Sequence, residues 1–148
     1  MIKNKKILIF GGTGSLGKTL IDRYVDDNQV IVYSRDEAKQ WTLKNENTHR
    51  LSSNFPYVIT IGSPTPTLLG NEYRIRVDPP SGLQCEIGDI RDSKRVQEVV
   101  SKHSPDIIII ASALKQVDTC ELSPLESIKT NILGIQNVVD AVSGPINY

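Results

Sequence analysis

Between the apolar run Ile7-Leu8-Ile9-Phe10 and a segment of helical spacing, the chain carries Gly11-Gly12-Thr13-Gly14-Ser15-Leu16-Gly17. Glycines at 11, 14 and 17 make the pattern G-x-x-G-x-x-G at a strand-to-helix junction. The first lets the chain turn sharply, the second lets backbone approach a pyrophosphate, and the third lets helix pack closely on strand. Free N–H groups at the helix start then face the phosphate charge. Ser15 to about Asp27 supplies that helix, with Leu16, Leu20, Ile21, Tyr24 and Val25 at helical spacing, and Gln29–Ser34 is a second β-branched run. Strand, glycine turn, helix and second strand are the context in which this pattern binds a dinucleotide. The stretch from Gly12 to Thr19 also reads G-x-x-x-x-G-K-T. A P-loop fold, however, offers a later acidic strand end for magnesium, and Ile107–Ser112 has none.

The rest of the chain keeps the same rhythm. Asp36 is placed to cap a polar helix through Lys39 and Trp41, and Leu83–Ile87 reads as a third strand followed by Gly88-Asp89. Asp92 to about His103 is a helix with Val96, Val99 and Val100 on one face, stopped by Pro105. Ile107–Ile110 has the pattern of a strand buried on both faces of a parallel sheet. Ser123-Pro124-Leu125-Glu126 combines a capping box with proline at the first helical position. Leu125, Ile128, Ile132, Ile135, Val139 and Val142 then recur every three or four residues until Gly144-Pro145. This series predicts an α/β fold, a Rossmann-type doubly wound parallel sheet of order 3-2-1-4.

Residues from about 42 to 82 break the rhythm and carry Pro56, Pro64, Pro66, Pro79 and Pro80. Tyr57–Ile61 and Tyr73–Val77 alternate as paired antiparallel strands do, which predicts a β-hairpin-like insertion between strands two and three. Prolines cannot serve a central ladder, so the insertion is expected at the sheet's periphery, clear of the coenzyme site. Residues 1–148 are thus expected to form one coenzyme-binding domain with that insertion.

Composition supports strands over a helical bundle, with 18 isoleucines and 12 valines against 4 alanines. Seventeen basic and seventeen acidic residues leave no net charge, so no basic field calls for nucleic acid or an anionic membrane. Cys85 and Cys120 form no CxxC pair, and two histidines suggest no metal site. No stretch approaches the ~20 apolar residues of a membrane span, and Ile7–Phe10 is too short for a signal core. The expected address is a reducing cytoplasm.

The end of strand two selects the coenzyme. Acid there serves a ribose 2′-hydroxyl, whereas arginine accommodates a 2′-phosphate. Here Ser34 is followed by Arg35, with Lys39 a turn further on, and Asp36 is more simply a helix cap. Asp89, with Ile90 beside it, is placed to accept the adenine amino group, or equally to form a turn. Ala111, Ser112 and Ala113 leave room for a coenzyme beside strand one, and Asn131 is expected to project with Ile128 and Ile135 and tie down loop backbone. Lys115, Gln116 and Asp118 fall in the loop after strand four, facing substrate or solvent. The candidate coenzyme contacts are therefore Gly11, Thr13, Gly14, Ser15, Leu16 and Gly17; Ser34, Arg35, Asp36 and Lys39; Asp89 and Ile90; and Ala111, Ser112, Ala113, Lys115 and Asn131. Cys85 and Cys120 are read as packing residues.

The segments IFGGTGSLGKTLI, VYSRDEAKQ, GDIRD, ASALKQVDTCELSP and ESIKTNILGIQNVV resemble the extended short-chain dehydrogenase/reductases of polysaccharide biosynthesis. Among these the resemblance is to the UDP-N-acetylglucosamine 4,6-dehydratases, some of which also epimerise at C5. It covers about residues 5–41 and 83–142, and residues 42–82 exceed the family's usual link. The resemblance implies bound NADP, a UDP-sugar substrate and a reaction that oxidises C4, eliminates water across C5–C6 and returns the hydride. The family's YxxxK pair follows a fifth strand, and Tyr148 has no lysine after it. No catalytic residue is therefore assigned, and this chain is expected to bind coenzyme without turning over sugar. Strand four would present an unpaired edge, so self-association is expected. The other reading is a non-catalytic NADP-binding sensor or regulatory module.

Overall fold

The computed structural model describes residues 2–47 and 82–143, together with the backbone of four short strands at 58–61, 65–67, 70–72 and 75–78. The elements are β1 (Lys6–Phe10), α1 (Ser15–Tyr24), β2 (Gln29–Ser34), α2 (Glu37–Glu46), β3 (Val58–Ile61), β4 (Thr65–Thr67), β5 (Gly70–Glu72) and β6 (Ile75–Asp78). After them come β7 (Gly82–Ile87), α3 (Ser93–His103), β8 (Ile107–Ile110), α4 (Val117–Leu122), α5 (Pro124–Ile128), a π-helical turn (Lys129–Leu133) and α6 (Gly134–Ser143). The central sheet has the order β7-β2-β1-β8. All three of its pairings are parallel, with Leu8 opposite Ile31 and Ile108 and Ile31 opposite Gln84. Counted along the chain, this is the expected 3-2-1-4 order.

Burial explains why the strands are continuous apolar runs. On one face Leu8, Phe10, Ile31 and Tyr33 pack against Val96, Val99 and Val100 of α3 and Val138 of α6. On the other, Ile7, Ile9, Val30 and Val32 pack against Ile21 of α1, Val25 at its C-cap and Leu43 of α2. Ile7 to Phe10 are wholly inaccessible, and each such side chain contributes about 1.5–3 kcal/mol relative to exposure. The four isoleucines of β8 divide between the two faces, yet each stays partly exposed because β8 is an edge of the sheet. Asn28 fastens the lower end: its amide accepts from Lys5 N and donates to the carbonyls of Ile2 and Tyr24.

The insertion contains two antiparallel ladders. Val58–Ile61 pairs with Ile75–Asp78, close to the predicted runs, and the shorter Thr65–Thr67 pairs with Gly70–Glu72 inside it. Side chains of this segment lie outside the described residues, and so does its expected separation from the coenzyme site.

The last helical region departs from expectation in three ways. It is three pieces, since a π-helical turn separates α5 from α6. The capping box does not form: the Ser123 N–H is already donated to Thr119 O at the end of α4, and Glu126 is drawn to Arg91 and Lys129. The buried stripe is also different. Leu125, Ile128, Ile132, Ile135, Val139 and Val142 are exposed, while Thr130, Gly134 and Val138 are buried. Close approach decides this, because a Cβ on Gly134 would stand 2.8 Å from Ile90 Cγ2. The small residues must therefore face inward, and the isoleucines follow the opposite side. Leu16 is likewise exposed on α1, and Asp118 sits in α4, where a loop was expected. No helix among the described residues is long and apolar enough to cross a membrane.

A cluster of charges ties the edge strand to α3. Glu86 on β7 receives Arg95 Nη2 at 2.8 Å and Lys102 Nζ at 2.6 Å, and lies 2.8 Å from His103 Nε2. Burial alone would raise the Glu86 carboxyl, but the hydrogen bonds from Lys102 and His103 and their charge outweigh it and hold its pKa at about 2. Because that lies below the ordinary 4.5, the stabilisation is complete above pH 4.5 and is lost as pH falls toward 2. Lys102 is largely exposed, so solvent screening reduces the effect. Glu86→Gln is expected to cost about 1–2 kcal/mol near neutral pH and only about a quarter of that at about pH 2.5, read from urea unfolding at both. An equal loss at both pH values would assign the effect to packing.

Candidate functional site

A cleft of about 250 Å³ opens at the carboxyl ends of β1, β2, β7 and β8. This is where the sheet order reverses, between β1 and β8, and such switch points hold ligands in open α/β sheets. Its floor is the glycine turn. Gly11 adopts φ +80°, and a Cβ there would stand 2.7 Å from Ser112 N, so the turn and the segment after β8 approach as only glycine permits. Gly14 lines the cleft as the N-cap of α1 and supplies no side-chain cap to the first-turn N–H groups. Gly17 stands off the cleft, packed on Gly12.

At the end of β2, Ser34 is buried and held by Gln40, whose amide donates to Ser34 O at 3.2 Å, Ser34 Oγ at 3.0 Å and Glu86 O at 2.8 Å. Arg35 follows into the cleft with its side chain 56% exposed. Asp36 is occupied as a cap: Oδ1 accepts from Lys39 N at 3.0 Å, and Oδ2 lies 2.9 Å from Lys39 Nζ. The hydrogen bonds from the Lys39 amide and side chain hold the Asp36 carboxyl below its usual range.

The loop after β7 forms the next wall. Tyr33 Oη donates to Asp89 O at 2.9 Å, and Asn137 Nδ2 donates to Ile90 O at 2.9 Å. Burial and the neighbouring Asp92 charge push the Tyr33 hydroxyl well up, so it stays a donor. Burial would also raise the Asp89 carboxyl, but Arg91 hydrogen bonds and the charges of Arg91 and Arg35 hold it below its usual range.

Twelve of the predicted residues line the cleft: Gly11, Thr13, Gly14, Ser34, Arg35, Asp36, Lys39, Asp89, Ile90, Ala111, Ser112 and Ala113. Ser15, Leu16, Gly17, Lys115 and Asn131 are not among the lining residues. Asn131 acts on the wall behind it, accepting from Leu114 N and donating to Leu114 O, both at 2.9 Å. Sequence reasoning missed Tyr33, Gly88, Leu114 and Thr130, which also line the cleft. Thr130 is 5% exposed, and its Oγ1 has no hydrogen-bond partner among the described residues. It lies on the π-helical turn, a feature common at functional sites. Its position beside Asn131 was the available signal, but the isoleucine stripe pointed to the opposite face. Among the described residues no group of His, Cys, Asp and Glu could hold a metal.

Fold and cleft together define a Rossmann-type α/β domain with a ligand cleft at its topological switch point. The chain belongs to the polysaccharide biosynthesis protein family, whose model matches residues 7–65 and 71–144. It is 37% identical over 145 residues to a UDP-N-acetylglucosamine 4,6-dehydratase (inverting) of Campylobacter jejuni, and 33% identical over 147 residues to a UDP-glucose 4-epimerase of Rickettsia massiliae. Each alignment covers 95% of this chain, which spans about a third (33%) of the relative. Among solved structures, Pen from Bacillus thuringiensis is similar at a TM-score of 0.68 and 29% identity, over 95% of this chain and 34% of that one. The Bordetella bronchiseptica enzyme WbmG, solved with NAD, shares the fold at a TM-score of 0.59 and 19% identity, over 94% of this chain and 34% of its own.

Proposed function

We propose that this chain is the NADP-binding part of a nucleotide-sugar 4,6-dehydratase that takes a UDP-N-acetylglucosamine-type substrate. The end of β2 carries the reading. Arg35 enters the cleft there, while the adjacent carboxylate of Asp36 is consumed by the Lys39 amide and ammonium. Recognition of a ribose 2′-hydroxyl needs a free acid at this place; a 2′-phosphate needs a cation. Three further features fit a dinucleotide: the glycine cradle, the uncapped start of α1, and the orphaned Thr130 hydroxyl.

Bound NADP would supply a hydride acceptor at the sugar C4 and the donor that returns it. The chain's own residues bind and orient. Gly11, Gly14 and the first turn of α1 hold the pyrophosphate, and Arg35 takes the 2′-phosphate. Asp89 and Ile90 flank the adenine, and Ala111 to Ala113 leave space for the other half. Asn131 acts as a positioning residue by fixing Leu114. Support for the sugar class comes from the relatives, a UDP-N-acetylglucosamine dehydratase and UDP-glucose epimerases.

Calorimetric titration tests the coenzyme, with NADP expected to bind at least about tenfold more tightly than NAD. Equal affinities would overturn the choice of NADP, and binding of neither would overturn the dinucleotide reading. For the sugar, protein expressed from the complete gene is expected to convert UDP-N-acetylglucosamine to its 4-keto-6-deoxy product. Interconversion of UDP-glucose and UDP-galactose instead would make it an epimerase.

Thr130→Val provides a separate check. An unpaired buried hydroxyl costs stability, so its removal is expected to leave the fold as stable or up to about 1 kcal/mol more so. Coenzyme affinity is expected to fall about three- to tenfold, the value of one hydrogen bond. Unchanged affinity would show that the hydroxyl does not meet the coenzyme.

A further inference from the structure

Five charged side chains of alternating sign, Arg35, Asp89, Arg91, Glu126 and Lys129, form a connected series that begins in the cleft. Arg35 Nη1 lies 3.6 Å from Asp89 Oδ2, and Arg91 holds the same carboxylate through Nε at 3.0 Å to both oxygens and Nη2 at 2.6 Å to Oδ2. The Arg91 amide also donates to Asp89 Oδ1 at 3.0 Å. Arg91 Nη1 reaches on to Glu126, whose other oxygen takes Lys129 Nζ at 2.8 Å. Arg35 and Asp89 line the cleft, whereas Arg91 is not among its lining residues.

The Asp89 carboxylate is therefore shared between two guanidiniums with different tasks. Its backbone cannot withdraw, since Tyr33 Oη holds its carbonyl, Asn137 holds the next one, and Gly88 N donates to Ser34 O at 3.1 Å. Without Arg91, an uncompensated anion would remain beside Arg35. It would pair with that guanidinium and repel any phosphate brought to it.

We propose that Arg91 is a positioning residue for coenzyme selectivity, which neutralises Asp89 and so leaves Arg35 to the ribose 2′-phosphate. The inference rests on the NADP reading above. It makes selectivity depend on a residue outside the cleft lining and on a carboxylate shared between two arginines.

The experiment is a set of calorimetric titrations of the full chain with NADP and NAD at low salt. For Arg91→Gln, NADP affinity is expected to fall about three- to tenfold while NAD changes by less than about twofold. Arg91→Lys keeps the charge and should retain most of the preference. The Arg91→Gln/Asp89→Asn double variant should recover the wild-type ratio, because no anion remains to occupy Arg35. Any adenine contact of Asp89 affects both coenzymes alike and cancels in the ratio. The effect should also shrink at about 1 M salt, where screening acts within about 3 Å. If Arg91→Gln does not fold, Arg91→Met, which removes the same charge and keeps the aliphatic stem, carries the test with the same expected loss of NADP-to-NAD preference. A wild-type preference that survives Arg91→Gln, or a loss that Asp89→Asn does not reverse, overturns the inference and leaves the NADP reading standing. A wild type without preference overturns both.

Discussion

Gly17→Ala is expected to destabilise the chain by about 3 kcal/mol or more, a large part of the roughly 5–15 kcal/mol that holds a typical domain together. A Cβ at residue 17 would stand 2.4 Å from Cα and O of Gly12 and 2.5 Å from its carbonyl carbon. These are backbone atoms of the turn between β1 and α1, and no rotamer change can move them. Relief requires α1 to retreat from the sheet, which would separate Ile21 and Val25 from Ile7, Ile9, Val30 and Val32. Gly14→Ala is the matching control. Its Cβ would meet only Gly11 O, at 3.4 Å, in ordinary contact distance, yet Gly14 lines the cleft. That variant should fold with a loss below about 1 kcal/mol and lose most of its coenzyme affinity, because the added methyl occupies the pyrophosphate approach. Denaturant unfolding and coenzyme titration of the two variants separate packing from binding. A wild-type unfolding midpoint for Gly17→Ala would refute the packing argument.

Arg35→Ala is expected to weaken NADP binding about tenfold to a hundredfold, since a charge-assisted contact with phosphate contributes roughly 1.5–3 kcal/mol. NAD, which lacks the 2′-phosphate, should bind the variant as it binds the wild type. Stability should change little, because the Arg35–Asp89 pair is long, at 3.6 Å, and the arginine side chain is more than half exposed. Equal losses for both coenzymes would mean that Arg35 stacks on adenine, a role its flat guanidinium also allows. No loss for either would remove Arg35 from the coenzyme site.

The relation of Asp36 to Lys39 shows how far local reasoning reaches. A carboxylate one residue past the strand end and three before a backbone N–H is a helix cap by spacing alone, and the cap forms. What spacing does not show is that the Lys39 ammonium turns back onto Asp36, so that both carboxylate oxygens beside Arg35 are taken by Lys39.

The parallel sheet, its 3-2-1-4 order, the glycine turn and the antiparallel pairing inside the insertion were determined by the sequence itself. Each rests on local terms: apolar runs of strand length, helical spacing between them, glycine where the backbone must approach, and alternation in 57–61 and 73–77. The tertiary structure decided the rest. It turned the last helix so that Gly134 meets Ile90 and the isoleucine stripe faces outward, against the apolar periodicity. It spent the Ser123 amide on α4 and gave Glu126 to Arg91, so the expected capping box has no free partners. It also brought Thr130 into the cleft and joined Arg35, Asp89, Arg91 and Glu126 across 91 positions of chain. Periodicity reports how much apolar surface a helix has; close packing of backbones and competition for single hydrogen-bonding groups choose which face is buried and which partner is taken.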